Sequence, residues 1–143
     1  MQSADFAGGR ALDPGILEVA QQLPGMTAIE FVDADSMRAQ AGHAMGRLLQ
    51  RYDLILCPTV PNGPCLADAP TTDPVRALMT EWAPWTFTFN ITRQPAITMP
   101  LGLRPDGMPN SVQIVAAQYR DDLVFRAARA IERTMPVPLA DRR

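Results

Sequence analysis

Residues Phe89–Gly102 read FNITRQPAITMPLG. A polar Asn-Ile-Thr-Arg-Gln turn is followed by the short apolar run Ala96–Met99, with Pro95 and Pro100 at its two ends. Proline removes a ladder donor and is confined to strand ends and edges, so the run reads as a short strand. A strand of that length cannot support a sheet by itself, so it is one rib of a larger structure that presents the turn before it. The segments on either side define that structure.

Downstream, Arg104–Pro109 (RPDGMP) is a turn. Its Asp106-Gly107 is the strongest hairpin dipeptide in the chain. Ser111–Ala116 is then the partner strand. Asp121 or Asp122 opens a final amphipathic helix to about Thr134, with Leu123, Ala127, Ala130 and Ile131 as its apolar face. Upstream, Leu54–Cys57 is a brief apolar run stopped by Pro58, the pattern of a strand buried on both faces. Before it, Thr27–Tyr52 is helical. Thr27 at the N-cap and Glu30 three residues on make a capping box, and a second start is available at Asp35 or Ser36. Met37, Ala41, Ala44, Met45, Leu48 and Leu49 form one stripe expected to be buried.

Between Pro58 and Pro84 lies a long proline-rich excursion. Asp73 as N-cap and Pro74 at N1 predict a helix there, and a second helix starts at Pro84 or Trp85 and runs to about Ile91. Residues 1–26 are irregular apart from a short helical stretch at Ile16–Leu23. Residues 27–143 form the organised part. The fold class is therefore α/β: a small mixed β-sheet covered by helices, with too few strands to close a sheet of its own.

Composition narrows the function. The chain has 143 residues, 47% of them hydrophobic, which is one domain's worth with a sizeable core. Its 14 prolines are about twice the usual share and mark ordered loops. A net charge of −2 gives no footprint for nucleic acid or an anionic membrane. No apolar run approaches the ~20 residues of a membrane span. Two cysteines, Cys57 and Cys65, with a single histidine, His43, cannot make a metal site, so no metal or cofactor is expected. The N-terminus lacks a signal-peptide pattern, and a reduced cytoplasmic setting is expected. All 13 basic residues are arginine, and there is no lysine.

The segments Arg51–Pro64 and Phe87–Arg133 together resemble the C-terminal portion of amidase-signature hydrolases. The resemblance rests on Asp53, Pro58-Thr59, Asn90-Ile91-Thr92, Gln94-Pro95-Ala96, Gly102-Leu103, Asp106-Gly107, Pro109 and Gln113 in one consistent order. It covers about Thr27 to Thr134 and implies that the sheet is part of the larger sheet of that family. Two departures stand out: Arg93 occupies the position of a family glycine, and Ser111-Val112 precedes the strand glutamine where glycine is common. Glycine permits left-handed backbone, so Arg93 implies either a changed turn or a large side chain across its mouth.

The resemblance implies amide hydrolysis by a serine nucleophile, a bridging serine on a cis peptide and a lysine base, all upstream of the matched region. This chain has three serines (Ser3, Ser36, Ser111) and no lysine or Gly/Ser-rich run. The expectation is a fragment without the catalytic machinery. It would contribute core and pocket wall, with an amide substrate bound only in an intact enzyme. The rival is a stand-alone truncated module that self-associates through an exposed sheet edge or docks on a partner.

Among candidate chemical residues, Cys57 in Leu-Ile-Leu-Cys reads as a small buried hydrophobe rather than a nucleophile. His43 reads as a packing or surface residue, and Asp121-Asp122 as helix-start acids. Thr59, Asn90, Thr92 and Gln94 are short polar residues at the ends of the predicted strands, where α/β sites collect contacts. Two readings stay open for them: loop bracing, or substrate contact along the pocket wall as the resemblance implies. Trp82, Trp85, Phe87 and Phe89 are either cleft wall or core.

Overall fold

Ile114, Val115 and Ala116 are fully buried, and they lie in the strand that both other described strands pair with. In the computed structural model, which describes residues 25–61 and 83–136, three strands are present: β1 (Leu54–Pro58), β2 (Ala96–Leu103) and β3 (Pro109–Ala116). β3 is central and both partners pair with it antiparallel. The α/β architecture expected from the sequence is present, and the three described strands are antiparallel throughout. The helices are α1 (Ala28–Leu49), α2 (Pro84–Thr92) and α3 (Asp121–Thr134). The helix at Asp73, the stretch Ile16–Leu23, Cys65 and Trp82 lie outside the described residues.

The β2–β3 hairpin forms where Asp106-Gly107 requires it. Gly107 takes φ +81°, its N–H donates to the Arg104 carbonyl at 2.9 Å, and the Asp106 carboxylate accepts from Met108 N–H at 3.1 Å. β2 runs past Met99, the last residue of the run read from sequence, to Leu103. The ladder shifts register between Pro100 and Gly102, and Gly102 sits at φ +124°. An outer strand with a bulge tolerates a proline that a central strand would reject.

α3 packs on β2 and β3. It buries Val124 and Ala128, with Leu123, Ala127 and Ile131 half-buried, whereas Ala130 is exposed. The buried face is thus turned from the one expected, because Val124 and Ala128 are four apart and carry the contact. Burying residues such as Ile114 and Val115 stabilises the fold by about 1.5–3 kcal/mol each.

α1 begins as the sequence requires. The Thr27 hydroxyl accepts from Glu30 N–H at 3.2 Å, and Glu30 Oε2 accepts from Thr27 N–H at 2.7 Å. No second start occurs at Asp35 or Ser36; the helix is continuous, and Asp35 pairs with Arg38 at 2.6 Å. The buried stripe is a correction: only Leu49 is buried. Met45 is half-covered, and Met37, Ala41, Ala44 and Leu48 are exposed. The main packing of α1 among the described elements is against α2, and most of its residues are exposed. Strand β1 likewise is not covered on both faces. Leu54, Ile55 and Cys57 are half-buried, while Leu56 is 59% exposed at the sheet edge.

Candidate functional site

α2 starts with Pro84 at its first position, whose missing N–H is no loss there. It ends at Arg93, which takes the left-handed conformation (φ 61°, ψ 38°) and donates its N–H to the Phe89 carbonyl. Gln94 N–H donates to the same carbonyl at 3.2 Å. The turn therefore keeps the glycine-type backbone although the residue is arginine, at a cost of about 1–2 kcal/mol. Of the two alternatives raised by the missing glycine, a changed turn is excluded, and the arginine side chain is carried on the exposed rim.

The four residues singled out from sequence fall at two ends of α2. At its start, the Thr86 hydroxyl donates to the Thr59 carbonyl and the Thr59 hydroxyl donates to that of Thr98, both at 3.4 Å. At its end lie Asn90, Thr92 and Gln94. Thr86 and Thr92 are separated by about 9 Å of helix rise, so Thr59 does not join the other three.

Thr92 is buried and fully engaged. Its hydroxyl donates to the Thr88 carbonyl at 2.9 Å, and its own carbonyl accepts from Gln118 Nε2 at 3.0 Å. That is a bracing role. Asn90 is exposed, and Gln94 is buried with an Oε1 that meets no donor. An unpaired buried acceptor costs about 1–3 kcal/mol.

Phe89, Asn90, Arg93, Gln94 and Pro95 line an open hollow of about 510 Å³. Gln118, Tyr119 and Asp121 complete its lining. Tyr119 is also left-handed (φ 64°) and almost fully exposed. The two non-glycine residues with positive φ among the described residues are thus both in this lining. Sequence reading missed Arg93, Gln118 and Tyr119 as site residues, though the arginine in a glycine position was a signal.

Beside Thr59, a polar row crosses the sheet. Cys57 and Thr98 both stand opposite Gln113, so the three share one face. Gln113 is buried and its Oε1 accepts from the Cys57 thiol at 3.6 Å. Burial pushes the Cys57 pKa up from its ordinary value, which disfavours the thiolate a nucleophile needs. Cys57 is half-buried rather than buried as expected, and its raised pKa favours the neutral thiol. His43 is exposed on α1. Asp121 and Asp122 lie in the first turn of α3, but neither caps it through its side chain. Asp122 instead pairs with Arg120 at 2.9 Å, and that hydrogen bond holds its carboxyl below the usual range.

This hairpin, its flanking helices and the motif order have known counterparts. Residues 5–125 match the family model described as Amidase. The chain belongs to the amidase family.

Among curated amidase relatives, an acylamidase of Rhodococcus erythropolis is 30% identical over 129 residues, which cover 87% of this chain and 27% of the acylamidase. A glutamyl-tRNA(Gln) amidotransferase subunit from a Cyanothece strain is 27% identical, over 74% of this chain and 22% of its own length. The solved structure of a 6-aminohexanoate cyclic dimer hydrolase superposes with a TM-score of 0.73 at 28% identity, covering 90% of this chain and 30% of that one. This amidase chain therefore spans between a fifth and a third of the length of these relatives. No helix among the described residues is long and apolar enough to cross a membrane.

Proposed function

We propose that this chain is the C-terminal part of an amidase that hydrolyses the C–N bond of carboxamides, with the nucleophile and base supplied by chain outside these residues. One observation carries the reading: the family match runs along most of a sequence that contains no lysine to serve as the base. In this role β2, β3 and α3 contribute core. Thr59, Asn90 and Gln94 contribute polar groups to the wall of a substrate pocket, and Thr92 braces the turn that carries two of them. The uncovered stripe on α1 fits burial against the remainder of such an enzyme. The setting is cytoplasmic, in keeping with a Cys57 thiol that is unpaired among the described residues.

The test is hydrolysis of simple amides such as acetanilide by the purified chain. No release of product above buffer is expected. Turnover that co-purifies with the chain and disappears in Cys57→Ala or Ser111→Ala would overturn the reading. An immunoblot of source cells complements it, because the reading requires a native band several times the mass of this chain.

A second reading is favoured by Ile29, Phe31, Val32 and Met37, which are each more than half exposed on α1. Monomers rarely leave such a surface open. In this reading the chain is a truncated paralogue that self-associates through α1 and the outer edge of β1, or docks on a partner, without catalysis. A discrete dimer with a cooperative melt, together with a native band at the chain's own mass, would select it.

A further inference from the structure

The residues of α1 that are not exposed are Arg38, Gly42, Met45 and Leu49. One position before each of them stand Met37, Ala41, Ala44 and Leu48, with Ala34 a turn ahead, and all five are exposed. At 3.6 residues per turn this second row lies about 100° around the helix from the covered one. From Ala34 to Leu48 it makes an apolar strip about 21 Å long.

The charges of α1 are divided along its length. Glu30, Asp33 and Asp35 come early, and Arg38 and Arg47 follow. Glu30 is engaged with Thr27, and Asp35 with Arg38. That leaves Asp33 towards one end and Arg47 towards the other, neither in an ion pair among the described residues. Each stands one position before a member of the apolar strip, Ala34 or Leu48, so both flank it on the side away from the covered residues.

Two copies of such a helix match in one direction. Laid parallel and in register, Asp33 would face Asp33 and Arg47 would face Arg47. Laid antiparallel about a two-fold axis at Ala41, Ala34 meets Leu48 of the second copy and Met37 meets its Ala44, so large side chains oppose small ones. The same arrangement leaves Asp33 and Arg47 of the second copy offset by about 3 Å of helix rise, which an arginine side chain spans. One patch then serves both subunits, as an isologous interface requires. We infer that this chain pairs with a second copy of itself through an antiparallel contact between the two α1 helices. This rests on the second reading above, self-association through α1, and adds the orientation, the register and the charged pair that sets them.

Sedimentation equilibrium of the purified full chain tests it. A discrete species of twice 15.6 kDa is expected, with a dissociation constant below about 100 μM. Ala41→Glu sets two carboxylates against each other at the axis and should weaken the dimer by about a hundredfold or more. Asp33→Arg or Arg47→Asp alone places like charges at both symmetry-related contacts and should weaken it about tenfold, and the two together should restore it. All three side chains are exposed, so each variant should keep the far-UV circular dichroism of the parent. A chain that stays monomeric up to about 200 μM overturns the inference and the second reading together. A dimer that the variants leave unchanged, or an open-ended series of larger species, overturns the inference alone, because self-association would then run through another surface such as the edge of β1.

Discussion

Replacing Arg93 by alanine and, separately, by glycine isolates the cost of the left-handed turn. The side chain is exposed and lies in no ion pair among the described residues. Truncating it to alanine should therefore change stability by no more than about 0.5 kcal/mol. Alanine keeps the Cβ that crowds the backbone at φ 61°. Glycine removes that clash, worth about 1–2 kcal/mol, but gives back about 0.5–1 kcal/mol through its more flexible unfolded chain. The glycine variant should be more stable than the alanine variant by about 0.5–1 kcal/mol. With a urea m-value of about 2 kcal/mol/M, the midpoint should rise by about 0.2–0.5 M. Urea titrations followed by far-UV circular dichroism, with m unchanged, make the comparison. If alanine equals or exceeds glycine, the turn is not held left-handed and the reading of this position fails.

Ile114→Ala should cost about 2–5 kcal/mol, whereas Leu56→Ala, at the exposed edge, should cost under about 0.5 kcal/mol; urea midpoints distinguish them. Thr27→Ala should weaken the start of α1 by about 1 kcal/mol, read as faster hydrogen exchange at the Phe31 amide, which bonds the Thr27 carbonyl. The Thr27 backbone N–H, and then its hydroxyl, hold the Glu30 carboxyl below its ordinary value of 4.5. The contribution of that contact is complete above the ordinary value and is lost as pH falls through the lowered one, so an NMR titration of Glu30 should place its midpoint below that of an unfolded control. Cys57, with its pKa raised, should be alkylated by iodoacetamide at neutral pH more slowly than free cysteine, and urea should abolish the difference; peptide mass spectrometry separates it from Cys65.

Local chemistry was the readable part of this sequence. The capping box at Thr27, the Asp106-Gly107 hairpin and Pro84 at the start of α2 each draw on residues within four positions of one another, so the pattern and the structure coincide. The stripe on α1 was legible as a stripe, but what covers it is a property of distant chain, and periodicity carries no information about that. The same limit divided the candidate site. Thr59, Asn90, Thr92 and Gln94 share a chemical type and a position at strand or helix ends, yet only the hydrogen bonds at the two ends of α2 show that Thr59 belongs to one end and the others to the opposite one. Gln113 stood out as one polar residue in an apolar strand; that it sits between Cys57 and Thr98 needed the register. Arg93 was visible as a departure, and the backbone it adopts was not.

The place of β3 in the sheet has a consequence for how the protein assembles. β2 and β3 are joined by a short turn and can pair as soon as both have been made. β1 precedes them, but its partner is β3, and Leu54 waits for Ala116, some sixty positions later in the chain. During synthesis β1 therefore emerges with an unpaired edge and stays so until β3 has left the ribosome. Loop closure over that distance comes after the local hairpin, since non-local pairing is the slow step. The interval in which Leu54–Cys57 is exposed is thus set by topology, not by stability. A nascent chain stalled before β3 would present this apolar strand to whatever chaperone or protease is nearest.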